Sequence, residues 1–125
     1  MITVGAKGST LGLASTLLVE DNVVLRAVCR AVMEAAGNRV VDCATAEEAL
    51  RIWTELQFDA VITDQRLDGR LTGTDLIVEL TRTGAQARLV LISGLSEAPP
   101  ALPEQATFLR KPFTADALLK ALCAS

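Results

Sequence analysis

Residues 16–19 (TLLV), 60–63 (AVIT) and 89–92 (LVLI) run apolar with little or no alternation. A strand with one solvated face alternates polar and apolar residues, whereas a strand apolar on both faces must be covered on both. Segments of helical period stand between these runs. Asn22 can cap a helix with Leu25, Val28 and Val32 on its buried face and Gly37 at its end. Val40, Val41 and Cys43 then form a short second strand. Thr45 and Glu48 have capping-box spacing ahead of Leu50, Trp53 and Leu56, the expected buried side of a second helix. Residues 72–84 form a third amphipathic helix through Leu76, Ile77 and Leu80. Residues 107–110 (TFLR) form a fifth strand, and Thr114 can cap a last helix bearing Leu118, Leu119 and Leu122. Strands and helices in alternation predict an α/β fold with a parallel sheet and helices on both faces.

Two segments break the pattern. Residues 1–14 are small, glycine-bearing and without period, and are expected to form a flexible leader ahead of one domain over 15–125. Residues 93–105 (SGLSEAPPALPEQ) hold Pro99, Pro100 and Pro103 where a fourth helix belongs. Proline removes a donor and clashes with the preceding turn, so this helix is expected to be short or irregular.

Composition excludes several functions. With 125 residues, half of them hydrophobic, the chain can bury one real core. No apolar stretch is long enough to span a membrane, and no signal peptide opens the chain, so a cytoplasmic location is expected. A net charge of −3 argues against a general nucleic-acid binder. Cys29, Cys43 and Cys123 have no CxxC spacing and read as reduced, inert thiols. The chain has no histidine, which rules out a histidine base, a histidine metal ligand or a phosphohistidine of its own.

Open parallel sheets bind ligands outside the carboxyl ends of their strands. The residues there are Glu20 and Asp21, Asp64, Ser93 and Lys111. If the first and third strands are neighbours, three carboxylates crowd one pocket and repel unless a cation joins them. A hard divalent ion such as Mg²⁺ suits such oxygens. A strand-end carboxylate beside a metal can attack phosphorus, a transfer that needs charge neutralisation more than a proton shuttle. Lys111 and the Ser93 hydroxyl can add to that neutralisation.

The motifs LLVEDN (17–22), VITDQRL (61–67), LVLISG (89–94) and FLRKPF (108–113) resemble the receiver domain of two-component response regulators, the CheY-like fold. The resemblance covers residues 15–124 and implies a single doubly wound, five-stranded sheet of flavodoxin-like order 2-1-3-4-5. It implies that Asp64 is the phosphoacceptor, that Asp21 binds Mg²⁺ (or Mn²⁺) directly, and that Glu20 acts through water. The backbone carbonyl of Arg66 is implied as a further ligand. Ser93 and Lys111 match the residues that hold the phosphoryl group, Phe108 the aromatic switch, and Pro112 a proline that is usually cis. The implied phosphodonor is a sensor histidine kinase or a histidine phosphotransfer protein. Output is expected through contact with another protein or through a further domain, and the net charge and the lack of a spanning run lead to the expectation of no nucleic-acid and no membrane partner.

The chain departs from the family pattern in three places. Asp68 stands where many receivers have proline, in a loop one residue longer than the chemotaxis type and similar to loops of receivers attached to hybrid kinases. The prolines of 93–105 alter the segment that usually builds the output face. Phe108 has no hydroxyl, so a switch there acts by packing alone.

Each residue also has a plainer reading. Asp64 by itself is a turn or capping residue, Glu20 and Asp21 a solvated pair before a helix N-terminus, Ser93 a turn cap and Lys111 a surface lysine. Two other functions stay open on the residues. One is a metal-dependent phosphohydrolase, which typically wants D-x-D after its first strand. The other is a receiver-shaped interaction module without phosphate turnover.

Overall fold

The structure, a computed structural model, describes residues 14–123. The leader expected over 1–14 therefore lies outside the described residues except for Ala14. The five expected strands form as β1 (Ser15–Val19), β2 (Arg39–Cys43), β3 (Ala60–Asp64), β4 (Arg88–Ser93) and β5 (Thr107–Arg110). They make one parallel sheet of order β2-β1-β3-β4-β5. The helices are α1 (Val23–Ala35), α2 (Ala46–Glu55), α3 (Gly73–Arg82) and α4 (Ala115–Cys123).

The strand period of two sorts the apolar runs into two cores. Leu17, Val19, Val61, Leu89 and Leu91 face α2 and α3, where Ala46, Ala49, Leu76, Ile77 and Leu80 meet them. Leu18, Ile62, Val90 and Ile92 face the other way, toward Cys29 and Met33 of α1 and Leu118 and Ala121 of α4. The central strands are thus covered on both faces, as their unbroken hydrophobicity requires.

Three local expectations are corrected. The buried line of α1 runs through Cys29 and Met33, four residues apart on one face, while Val28 is 54% exposed. Leu25 and Val32 flank that line and are only partly buried. Leu56 is exposed because α2 ends at Glu55 and Leu56 is its extended C-cap. At Thr45 the hydroxyl accepts from the Glu48 N–H at 3.1 Å, but the Glu48 carboxylate reaches the Ala44 N–H instead of that of Thr45. The reciprocal capping box lies at α3, where the Thr72 hydroxyl accepts from the Asp75 N–H and the Asp75 carboxylate from the Thr72 N–H.

The β4–β5 connection contains no helix. Two isolated turns replace it, closed by Leu102 N–H to the Pro99 carbonyl and Ala106 N–H to the Pro103 carbonyl, each at 3.0 Å. Leu102, Ala106 and Phe108 pack there against the α2/α3 core in place of a helix face.

Candidate functional site

Parallel strands deliver their carboxyl ends to one edge of the sheet, and the sequence puts polar residues there. Glu20 follows β1 and is fixed through its backbone. Its N–H donates to the Cys43 carbonyl at 3.0 Å, and its carbonyl accepts from Arg26 Nη1 at 2.7 Å. Its side chain is 1% exposed. Oε2 accepts from the Asn22 N–H at 3.1 Å, while Oε1 is buried without a protein partner. Asp64 ends β3, next to β1. Its Oδ2 accepts from Lys111 Nζ at 2.7 Å, and the Arg66 N–H approaches Oδ1 at 3.4 Å.

Ser93 ends β4 and is buried. Its hydroxyl accepts from the Leu95 N–H at 3.0 Å, and its carbonyl accepts from the Lys111 N–H at 2.8 Å. The Lys111–Pro112 peptide bond is cis. Asp21, Asp64, Arg66, Ser93 and Lys111 line one open cleft. Phe108 lies outside this lining, half-buried against the α2/α3 core.

The electrostatics of the cleft are unbalanced. Glu20, Asp21 and Asp64 each offer a carboxylate oxygen, and these oxygens lie within 4.8 Å of one another. Among the described residues, Lys111 is the one cation in a salt bridge with them, and that bridge is to Asp64. Burial pushes the Glu20 carboxyl up to about 7; the Asn22 N–H and Lys111 oppose the rise and the Asp64 carboxylate adds to it. A hard divalent cation fits this donor set, since it would neutralise the cluster and give the orphaned Glu20 oxygen a polar neighbour, directly or through a bound water. By contrast, burial raises the Cys29 thiol to about 11 and the Cys43 thiol to about 12, so neither is a reactive thiolate.

Three supporting residues were not singled out by their sequence signals. Gln65 Oε1 accepts from both the N–H and the hydroxyl of Thr74, at 2.9 and 2.6 Å, tying the foot of β3 to α3. Gly73 lies so close to the Asp64 carbonyl that a Cβ there would overlap it. Arg26 clamps Glu20. Only Gly73 left a usable signal: glycine is a poor helix former, and its place in the first turn of α3 points to a close backbone approach.

Residues 16–123 match the family described as Response regulator receiver domain. The chain belongs to that family. This receiver is 28% identical over 112 residues to the transcriptional regulatory protein FixJ of Azorhizobium caulinodans, which covers 86% of the chain and 53% of FixJ. It is 34% identical over 109 residues to the sensor kinase CckA of Brucella abortus, covering 82% of the chain and 11% of CckA. The chain thus spans only about half, or about a tenth, of these curated relatives. Among solved structures it resembles a response regulator receiver domain protein from Clostridium thermocellum, with a TM-score of 0.75, 29% identity and coverage of 88% of this chain and 94% of that one. Among the described residues, no helix is long and apolar enough to cross a membrane.

The raised Glu20 value makes the metal-free receiver pH-sensitive. Between the ordinary 4.5 and about 7, folded Glu20 keeps a proton that the unfolded chain has released. The folded state binds more protons in this window, so stability falls as pH rises through it. The melting temperature of the EDTA-treated protein should therefore drop between about pH 5 and about pH 8, and Glu20→Gln should flatten that drop. A profile for the Gln variant parallel to wild type would assign the dependence to other groups.

Proposed function

We propose that this receiver accepts a phosphoryl group on Asp64 and that the aspartyl phosphate switches its contacts with another protein. The observation that carries the reading is the Lys111–Asp64 contact of 2.7 Å beside a three-carboxylate cluster within 4.8 Å, at the carboxyl end of the sheet. The Asp64 carboxylate attacks phosphorus while the bond to the donor's leaving atom breaks, and that bond's electron pair leaves with the donor. Glu20, Asp21, Asp64 and the Arg66 carbonyl are the groups assigned to a divalent cation, Mg²⁺ or Mn²⁺. Such a cation supplies positive charge beside the transferring phosphoryl oxygens.

Lys111 shifts its ammonium from the carboxylate to the new phosphoryl oxygens. The Ser93 hydroxyl, which accepts from Leu95 N–H, keeps its own proton free to donate to them. Phe108, packed beside the turns of the β4–β5 connection, follows Ser93 by repacking. The chain itself is a signalling phosphoacceptor, not an enzyme acting on a separate substrate.

The proposed donor, taken from membership of the receiver family and likeness to a sensor kinase, is the phosphohistidine of a sensor kinase or of a histidine phosphotransfer protein; this chain has no histidine to carry that group itself. Val23, Val24 and Val28 of α1 follow closely on Asp21 and are 68%, 72% and 54% exposed, an apolar surface that such a donor can cover. A second reading, an interaction module without phosphate turnover, draws on the helix-free β4–β5 connection, which changes the surface beyond Ser93.

Intact-mass measurement after incubation with acetyl phosphate separates the two. With Mg²⁺ the protein should gain one phosphoryl group, and with EDTA none. A folded protein that gains nothing from acetyl phosphate or from histidine-phosphorylated donors in Mg²⁺ belongs to the second reading.

A further inference from the structure

The β3–α3 connection, residues 65–72, forms one wall of the cleft through Arg66, Leu67, Asp68 and Thr72. Its base is closed locally. The Gly73 N–H reaches the Gln65 carbonyl at 3.0 Å, and Gln65 holds Thr74. The crown is different: Arg66, Asp68, Gly69 and Arg70 are exposed and cannot be located by burial. Leu67 and Leu71 pack against the α2/α3 core, but apolar contact is non-directional and leaves the backbone free to slide.

A directional tether comes from α2. Glu47 Oε2 accepts from the Arg70 N–H at 2.8 Å and from the Leu71 N–H at 3.2 Å, across more than twenty residues of chain. Beside it, Thr45 and Asp68 form an isolated parallel bridge. Gly69 completes the fit. Its φ is +93°, and a Cβ there would sit 2.7 Å from Glu47 Oε1, so glycine lets the carboxylate lie directly under the crown. The Arg70 N–H holds the Glu47 carboxyl below its ordinary value, so it stays ionised and grips two N–H groups as a charged acceptor.

We infer that Glu47 is a positioning residue for the metal site: by gripping the crown of the β3–α3 connection from α2, it sets the Arg66 carbonyl toward the Glu20, Asp21 and Asp64 carboxylates. The inference rests on the metal site of the proposed function. Glu47 itself does not line the cleft. It acts at a distance, by holding the Arg70 and Leu71 N–H groups and so fixing residues 67–69 that connect them to Arg66. Glutamine can replace it in part, because its amide oxygen can accept the same two N–H groups.

Calorimetric titration with Mg²⁺ tests the role on the wild type, Glu47→Ala, Glu47→Gln and Asp21→Ala, with amide exchange at Arg70 and Leu71 measured alongside. Mg²⁺ affinity should weaken by about tenfold in Glu47→Ala, the low end of what supporting contacts around a metal carry, and by distinctly less in Glu47→Gln. Exchange at both amides should speed up in the alanine variant. A merely structural role would lower its melting temperature and leave its Mg²⁺ affinity at the wild-type value, and that result overturns the inference alone. Unchanged protection of the two amides overturns it as well. A wild type that binds no Mg²⁺, or an Asp21→Ala protein that binds it normally, overturns the metal site itself and the inference with it.

Discussion

Asp64→Ala protein is expected to take up no phosphoryl group from acetyl phosphate and Mg²⁺ under conditions that label the wild type. The loss should be complete because the variant keeps no carboxylate at the strand end facing Lys111. Glu20 is the nearest replacement, but it is buried, its Oε2 is engaged with the Asn22 N–H, and burial raises its carboxyl to about 7. Asp21 follows β1, not β3, and among the described residues no lysine forms a salt bridge with it. The variant should fold. The Lys111 side chain is 33% exposed, so its ammonium regains water when its partner goes. Removing one of three clustered carboxylates also relieves repulsion. A wild-type melting curve with zero labelling therefore assigns the defect to chemistry, whereas labelling of Asp64→Ala at wild-type stoichiometry removes Asp64 from its role.

Gly73→Ala is expected to be the most disruptive single methyl addition in the site. Two effects oppose each other. In a helix, alanine is better than glycine by up to about 1 kcal/mol. Against that, the new Cβ would overlap the Asp64 carbonyl oxygen and stand 2.8 Å from Leu91 Cδ1. Leu91 is fully buried in the sheet and cannot swing away. The Asp64 carbonyl is backbone and accepts from the Thr63 hydroxyl at 2.9 Å. Overpacking of this kind costs about 3 kcal/mol and exceeds the propensity gain, for a net loss of about 2 kcal/mol. For a domain of this size the melting temperature should fall by about 10 °C. Because the relief route runs through the Asp64 backbone, residual labelling should also slow. An alanine variant with wild-type melting would show that α3 can shift at no cost.

Much of the fold was legible in the chain because it rests on local signals. The runs of residues 16–19, 60–63 and 89–92 are apolar on both faces, and only a sheet covered twice accepts them. Pro99, Pro100 and Pro103 remove the helix between β4 and β5 by their own covalent geometry. Where local signals were ambiguous, packing decided. Val28 has the right spacing for the α1 core, yet Cys29 and Met33 occupy it, because helix rotation is set by the sheet beneath. Two Thr-x-x-acid patterns precede helices, and only Thr72–Asp75 closes reciprocally.

Which chemical groups stand at strand ends was readable from the chain alone: Glu20, Asp21, Asp64, Ser93 and Lys111 each follow or close an apolar run, and a run's end is a local property. Which of them meet depends on strand order and register. The adjacency of β1 to β3 brings the carboxylates within 4.8 Å, and the register of β4 and β5 hands Lys111 to Asp64. The fold also sets the supports of the site, of which only Gly73 left a mark in the sequence. Arg26 holds the Glu20 carbonyl, Gly73 leaves room for that of Asp64, and Glu47 lies under Gly69. Arg26 and Gly73 act within ten residues of their partners and Glu47 across more than twenty, and in each case the contact forms only when the sheet and its helices close around one another.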